Sequence, residues 1–169
     1  MASTVDEIDL AVHHGHLSVI PIGDAAEELC GHEVRSRYVE RFWLPVLGPS
    51  TVVLMRHLAE LFDRAPSGTV INLTETARAL GLGERPGKNA PLRRTIARAV
   101  DFGAAQLGDQ RLFVRRYLPP LSPRQVARLP EALRIAHSGP FGAMAVVEGG
   151  SRLGCSRVEA SPPERALVG

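Results

Sequence analysis

The chain has 169 residues, of which 44% are hydrophobic and 22% are charged. These ordinary values exclude a wholly disordered chain, and the length allows one domain with its own core plus flanking segments. The net charge is +2, but residues 1–40 carry −6 and residues 85–137 carry +8. An acidic front and a basic middle indicate a polyanionic partner for the middle.

Neither a secretion signal nor a membrane span is indicated. The first residues carry no basic group before their apolar positions, and no stretch approaches roughly eighteen consecutive apolar residues. Cys30 and Cys155 lie far apart without a CxxC spacing, so neither a disulfide framework nor a structural zinc site is indicated. We therefore expect a cytoplasmic protein that does not enter a membrane. Lys88 is the only lysine among 20 basic residues, an arginine bias typical of GC-rich bacterial genomes.

Residues 1–34 form an acidic N-terminal segment. Within it, the short apolar run at 17–22 is compatible with a strand. Residues 35–44 then place aromatic and apolar side chains at helical spacing, which predicts a short amphipathic helix that Pro45 ends. The residues on its apolar face are Tyr38, Val39, Phe42 and Trp43.

The first core helix opens at Pro49 and runs to about Asp63. Its apolar stripe consists of Val53, Leu54, Leu58, Leu61 and Phe62. A turn and the β-branched run at 69–73 predict a short strand after it. Asn72 stands three residues before Glu75, which resembles a capping box and predicts a second helix that ends near Gly81.

The third helix is predicted over residues 90–102, with Asn89 as its N-cap and Pro91 in its first turn. Apolar positions share one face, Arg94 and Arg98 project from the opposite face, and Arg93 lies on the flank. Two short apolar runs within 104–117, joined by glycine and aspartate, predict a β-hairpin.

The chain after the hairpin continues with helices and then loses its hydrophobic pattern. Ser122 with Gln125 forms a capping-box pattern, which predicts helical structure up to residue 137. Residues 138–169 are rich in small residues and prolines, so we expect a flexible tail.

The order helix, strand, helix, helix, hairpin between residues 49 and 117 resembles winged helix-turn-helix DNA-binding domains. The resemblance implies a mainly α fold with a small β-hairpin, within a domain spanning residues 35–137. Residues 42–61 are also similar to the start of the winged domain in DnaD-type primosomal replication proteins. In winged helix-turn-helix domains the third helix enters the major groove and the hairpin touches the backbone or the minor groove.

The resemblance implies a set of DNA-contacting residues on the third helix, the turn before it and the wing. Arginine suits this role because its planar fork bonds phosphate or the O6 and N7 atoms of guanine. These residues are Arg85, Lys88, Asn89, Arg93, Arg94, Arg98, Arg111, Arg115 and Arg116.

Catalysis and metal binding are not supported by the sequence. It contains no GxSxG, P-loop, HExxH or GxGxxG motif. The only cluster of metal-ligand types, His13, His14, His16, Cys30 and His32, matches no established zinc spacing. We therefore expect a protein without cofactor, metal or enzymatic activity.

The leading hypothesis is a bacterial transcriptional regulator that binds double-stranded DNA as a homodimer. The aromatic helix at 35–43 or the helices after residue 122 are candidate dimer interfaces. One alternative is a protein-interaction module, in which residues 1–34 either bind a partner or cover the basic face. Another is a replication accessory factor, which preferential binding to single-stranded or forked DNA would indicate.

Overall fold

A computed structural model describes residues 4–23, 30–83, 87 and 90–139. In these residues the helices are α1 (Thr4–Ala11), α2 (Leu44–Leu47), α3 (Pro49–Arg64), α4 (Leu73–Ala79), α5 (Pro91–Asp101), α6 (Pro123–Ala127) and α7 (Glu131–Ser138). A π-helical turn, Val39–Trp43, leads into α2. The strands are β1 (His16–Ile22), β2 (His32–Glu33), β3 (Thr69–Asn72), β4 (Ala105–Gly108), β5 (Arg111–Arg115) and β6 (Tyr117–Leu118). No helix in this part of the chain is long and apolar enough to cross a membrane.

β1 lies inside the larger of two sheets, which has the strand order β3-β1-β5-β4. It runs antiparallel to β3, with Leu17 opposite Ile71, and parallel to β5, with Val19 opposite Leu112. Leu17 and Val19 are fully buried while their neighbours are partly exposed, the alternation of a strand with one face on the core. The apolar run at 17–22 is therefore a strand, and its backbone joins the N-terminal segment to the rest of the fold.

The protein is mixed α/β, with a larger sheet than the mainly α fold with a small hairpin that the sequence predicts. The predicted hairpin is present as β4 and β5, joined by Asp109 and Gln110. Both turn residues have positive φ, +49° and +58°, as a two-residue type I′ turn requires. The sheet is larger than the sequence predicts because β1 pairs with β5 from more than 90 residues away, and no local pattern signals such a pairing.

α3 forms the centre of the core, and its predicted stripe is largely confirmed. Leu54, Leu58 and Phe62 are each at most 1% exposed. Val53 is 47% exposed, so assigning it to the buried stripe was wrong, and Met55 lies in the core at 1% exposure. The buried face of the helix therefore lies one position away from the predicted stripe at this turn, on the side of Met55.

Local capping signals place the starts of two helices. The side-chain oxygen of Asn72 accepts from the backbone N–H groups of Thr74 and Glu75 at 2.9 and 3.1 Å, which satisfies two donors that α4 leaves unpaired. Ser122 and Gln125 form the predicted reciprocal capping box at the start of α6. The predicted flexible tail lies, from residue 140 onward, outside the described residues.

Pro45 does not end the aromatic helix, contrary to the expectation from sequence. The helix continues to Leu47 because the π-helical turn Val39–Trp43 precedes the proline. A proline within an α-helix lacks one hydrogen bond, and its ring collides with the carbonyl one turn earlier, whereas a wider π turn leaves room for it. Gly48, with φ +81°, then separates α2 from α3.

The aromatic face of this helix packs inside the chain. Trp43 is 2% exposed and donates from Nε1 to the carbonyl of Pro119 at 3.0 Å. The Tyr38 hydroxyl accepts from the Leu121 N–H at 3.0 Å and lies 2.9 Å from Nε2 of His137 on α7. This face was a candidate dimer interface, but the chain's own C-terminal helices cover it.

Candidate nucleic-acid interface

α5, the predicted DNA-contacting helix, has one exposed stripe. Leu92 and Ile96 are buried against the core, as their spacing predicts. Arg94, Arg98 and Asp101 follow at intervals of four and three residues and are the exposed positions. Since these intervals bring residues to the same side of a helix, the three side chains form a single narrow row.

Three of the predicted contact residues, Arg94, Arg98 and Arg111, have exposed side chains. Arg111 opens β5 immediately after the hairpin turn. Among the residues that the structure describes, neither the Arg94 nor the Arg111 guanidinium has a hydrogen-bond or ion-pair partner. Both cationic groups are therefore available to an external anion.

Arg98 is exposed but its side chain is already engaged. Its Nε donates to the carbonyl of Leu47 at 2.5 Å and its Nη2 donates to the carbonyl of Val46 at 2.8 Å. Its guanidinium carbon lies 4.9 Å from the centre of the Phe102 ring. The last carbonyls of a helix lack partners within it, so Arg98 closes the C-terminal end of α2 and fixes α5 to it.

The wing arginines Arg115 and Arg116 also make internal contacts. Arg115 donates from Nε to the carbonyl of Gly103 at 3.0 Å. Arg116 pairs with Asp63 at 2.5 Å, and Arg35 pairs with the other oxygen of the same carboxylate at 2.7 Å. The hydrogen bond from Arg35, reinforced by Arg116, lowers the pKa of Asp63. These contacts attach the end of the hairpin to the end of α3.

Arg93 forms an ion pair with Asp9 of α1, and its side chain is only 15% exposed. A second contact joins the two helices, because the Thr4 hydroxyl donates to Asp101 at 2.8 Å. Ala97 lies between Arg93 and the exposed row and is 5% exposed. The flank of α5 that carries Arg93 is therefore covered by α1.

A groove of about 510 Å³ follows the exposed row of α5. It is lined by Val5 of α1, by residues 48–51, where α3 begins, and by Arg94 and Arg98 of α5. No side chain caps α3, and the free N–H groups at a helix start carry partial positive charge. Asp101 adds one acidic group at the end of the groove. The balance of charge in the groove favours an anionic partner.

Three predicted contact residues, Arg85, Lys88 and Asn89, lie outside the described residues. The N-cap position of α5 falls to Ala90, one residue after the predicted cap, and no side-chain hydrogen bond is made there.

The histidines near the N-terminus take separate roles. His13 is hydrogen-bonded to Gln110 at 2.8 Å, whereas His32 is buried and stacks on Tyr38. Within the described ranges, no group of three or more His, Cys, Asp or Glu side chains is placed to hold a metal ion. Cys155 lies outside the described residues, so the expectation drawn from the two cysteines stays a prediction.

Neither the helix α1 nor its position beside α5 was predicted from the sequence. Asp9, which follows the buried Ile8, forms the ion pair between them. The excess of acidic residues at the front of the chain was the one available signal, but nothing in it specified α5 as the partner. Comparison of the chain with models of protein families, with characterised proteins and with solved structures finds no match.

Proposed function

We propose that this chain is a winged helix-turn-helix protein that binds double-stranded DNA. In this proposal α5 is the recognition helix, the β4–β5 hairpin is the wing, and the protein acts in the bacterial cytoplasm as a transcriptional regulator. A homodimer would bind paired half-sites, since one module of this size contacts only a few base pairs.

The observation that carries the proposal is the availability of Arg94 and Arg111. Both are exposed and without an internal partner among the described residues, one on the outer row of α5 and the other at the tip of the hairpin. Each phosphate neutralised by an arginine releases counterions, which favours association with a polyanion. The fork of the guanidinium also matches the edge of guanine in the major groove.

The order of the elements supports the fold assignment. α3, β3, α4 and α5 follow one another, and the β4–β5 hairpin comes next. β3 lies in the same sheet as the hairpin, with β1 between them. This is the order of a winged helix-turn-helix domain with one additional strand from the N-terminal side.

The test is a binding titration of fluorescein-labelled 30-base-pair duplexes, followed by fluorescence anisotropy at several salt concentrations. Arg94→Ala combined with Arg111→Ala is expected to weaken binding and to reduce the slope of log Kd against log salt by about 2, because about one phosphate contact is lost per arginine. Arg98 is left intact because its substitution would also disturb the end of α2.

Arg64→Ala is the matched control. Arg64 is exposed and ends α3, a 16-residue helix whose other end lines the groove, so it lies about 22 Å away along that helix. This variant should keep the wild-type slope. Equal slopes for the double variant and the wild type contradict the assignment of these two arginines. Stronger competition by single-stranded DNA than by duplex indicates a replication accessory factor instead.

A further inference from the structure

α1 lies beside both elements of the proposed DNA-binding surface. Toward α5 it makes the Asp9–Arg93 ion pair and the hydrogen bond from Thr4 to Asp101. Toward the hairpin, Glu7 and Leu10 face Leu107, Gly108 and Gln110 across a cleft of about 220 Å³. α1 therefore occupies space beside the recognition helix and next to the wing.

The presence of α1 beside α5 is incompatible with entry of α5 into the major groove. Packed helices lie about 8–10 Å apart and each is at least about 10 Å wide with its side chains, so the pair spans roughly 20 Å. The major groove is about 12 Å wide. A duplex can receive α5 deeply only after α1 has moved aside.

The charge of α1 has the sign of a phosphate backbone. Its eight residues include Asp6, Glu7 and Asp9 and no basic residue. Asp9 takes the guanidinium of Arg93 that a phosphate would otherwise take. α1 thus competes with DNA through its volume and through its carboxylates.

The attachment of α1 allows it to move without disturbing the sheet. Ile8 and Ala11 are its buried side chains, whereas Leu10 is 72% exposed. A helix of eight residues has little stability apart from its packing. A turn with His14 and Gly15 in left-handed conformations, φ +51° and +79°, separates it from β1, so β1 can keep its pairing when α1 is displaced.

We infer that α1 is an autoinhibitory helix that covers α5 in the free protein and is displaced when duplex DNA binds. The inference rests on the proposed function. Phosphates replace the Asp9 carboxylate on Arg93, and the uncovered flank of α5 then enters the groove. The protein binds DNA more weakly with α1 in place than without it, so a partner that captures α1 activates DNA binding.

The test compares Asp9→Asn with Glu60→Gln in the duplex titration. Asp9→Asn breaks the ion pair with little change in shape and is expected to raise duplex affinity at least about fivefold, the lower end of typical coupling between sites. Glu60→Gln makes the same change in net charge at an exposed position near the end of α3. It should change affinity less than about twofold, since exposed distant charges are screened by salt.

A truncated chain that starts at residue 13 removes α1 and keeps β1. It is expected to bind at least as tightly as Asp9→Asn, provided that its circular dichroism and Trp43 emission remain those of a folded protein. Deletion up to residue 34 is unsuitable because it removes β1, one of the two inner strands of the sheet. If the truncated chain does not fold, the comparison of Asp9→Asn with Glu60→Gln still tests whether α1 inhibits DNA binding.

Hydrogen exchange gives an independent readout of the displacement. Addition of duplex should speed exchange of the amides in residues 4–11 while those of residues 16–22 stay protected. The inference is overturned if wild type binds duplex and Asp9→Asn binds no tighter than Glu60→Gln. It is also overturned if DNA binding leaves hydrogen exchange in α1 unchanged. The proposed function survives either result. If neither wild type nor any variant binds duplex at low salt, the proposed function fails and the inference fails with it.

Discussion

His32 makes the stability of the protein depend on pH in a way that the structure defines. The side chain is 2% exposed, and its ring stacks on Tyr38 with the ring centres 3.6 Å apart. In the described part of the molecule, its Nε2 has no hydrogen-bond partner. Burial, together with the nearby His137, lowers the pKa of His32 to about 4. His32 is therefore neutral in the folded protein at neutral pH.

The sign of the effect follows from the two pKa values. In the unfolded chain the pKa of His32 has its ordinary value of about 6.5, so the unfolded chain takes up a proton at a higher pH than the folded protein. The free energy of unfolding therefore falls as the pH drops below about 6.5 and continues to fall until about pH 4. At pH 5 the loss is about 2 kcal/mol, a large share of a typical stability of about 5–15 kcal/mol. Burial also lowers the pKa of His137, which adds to the loss.

The assay is urea unfolding at pH 7.5 and pH 5, followed by the emission of Trp43, the single tryptophan, which is 2% exposed when folded. The control variant is His32→Phe, which keeps an aromatic ring against Tyr38 but cannot take up a proton. The drop in unfolding free energy between the two pH values should be about 2 kcal/mol smaller in the variant than in wild type. Carboxylates titrate equally in both proteins, so the difference isolates His32. Equal drops in the two proteins refute the assignment of acid sensitivity to this side chain.

Two further predictions concern contacts that hold the fold together, and urea unfolding at pH 7.5 tests both. Gly68→Ala should lower the free energy of unfolding by at least about 2 kcal/mol more than Gly103→Ala does. Both glycines have left-handed φ, but an added Cβ at Gly68 would lie 2.6 Å from a backbone carbonyl of β1. At Gly103 an added Cβ would meet nothing within 4 Å. Similar costs for the two variants would show that the close approach to β1 is not limiting. Arg98→Lys should lower the free energy of unfolding by about 1–2 kcal/mol, because an ammonium cannot reproduce the paired hydrogen bonds to the Leu47 and Val46 carbonyls. The control, Arg94→Lys, should leave the free energy of unfolding almost unchanged. Equal losses in the two variants would contradict a capping role for Arg98.

The candidate site shows how far sequence reasoning extends in a chain whose basic residues are nearly all arginine. Periodicity correctly placed Arg94 and Arg98 on the exposed side of α5. It could not distinguish them, although Arg94 has no partner in the described residues while Arg98 closes another helix. The distinction depends on the end of α2, which lies 51 residues earlier in the chain. Spacing within a helix identifies the face of a side chain but not its partner.

By itself, the sequence determined the elements whose signals are local. Asn72 and Ser122 cap the helices that follow them, Pro49 begins α3, and Asp109 with Gln110 turns the hairpin. Each of these devices acts between residues at most a few positions apart, so a short window of sequence contains both partners. The order of the elements from α3 to the β4–β5 hairpin therefore follows from the sequence.

Only the tertiary structure decided how these elements combine. β1 enters the sheet between β3 and β5, α1 covers the flank of α5, and Arg116 pairs with Asp63 from 53 residues away. Each of these contacts joins segments that the chain brings together only when the whole core forms, and many strands or carboxylates in the sequence were equally suitable partners. The physical reason is that burial and geometry select one partner among many, and both are properties of the folded chain.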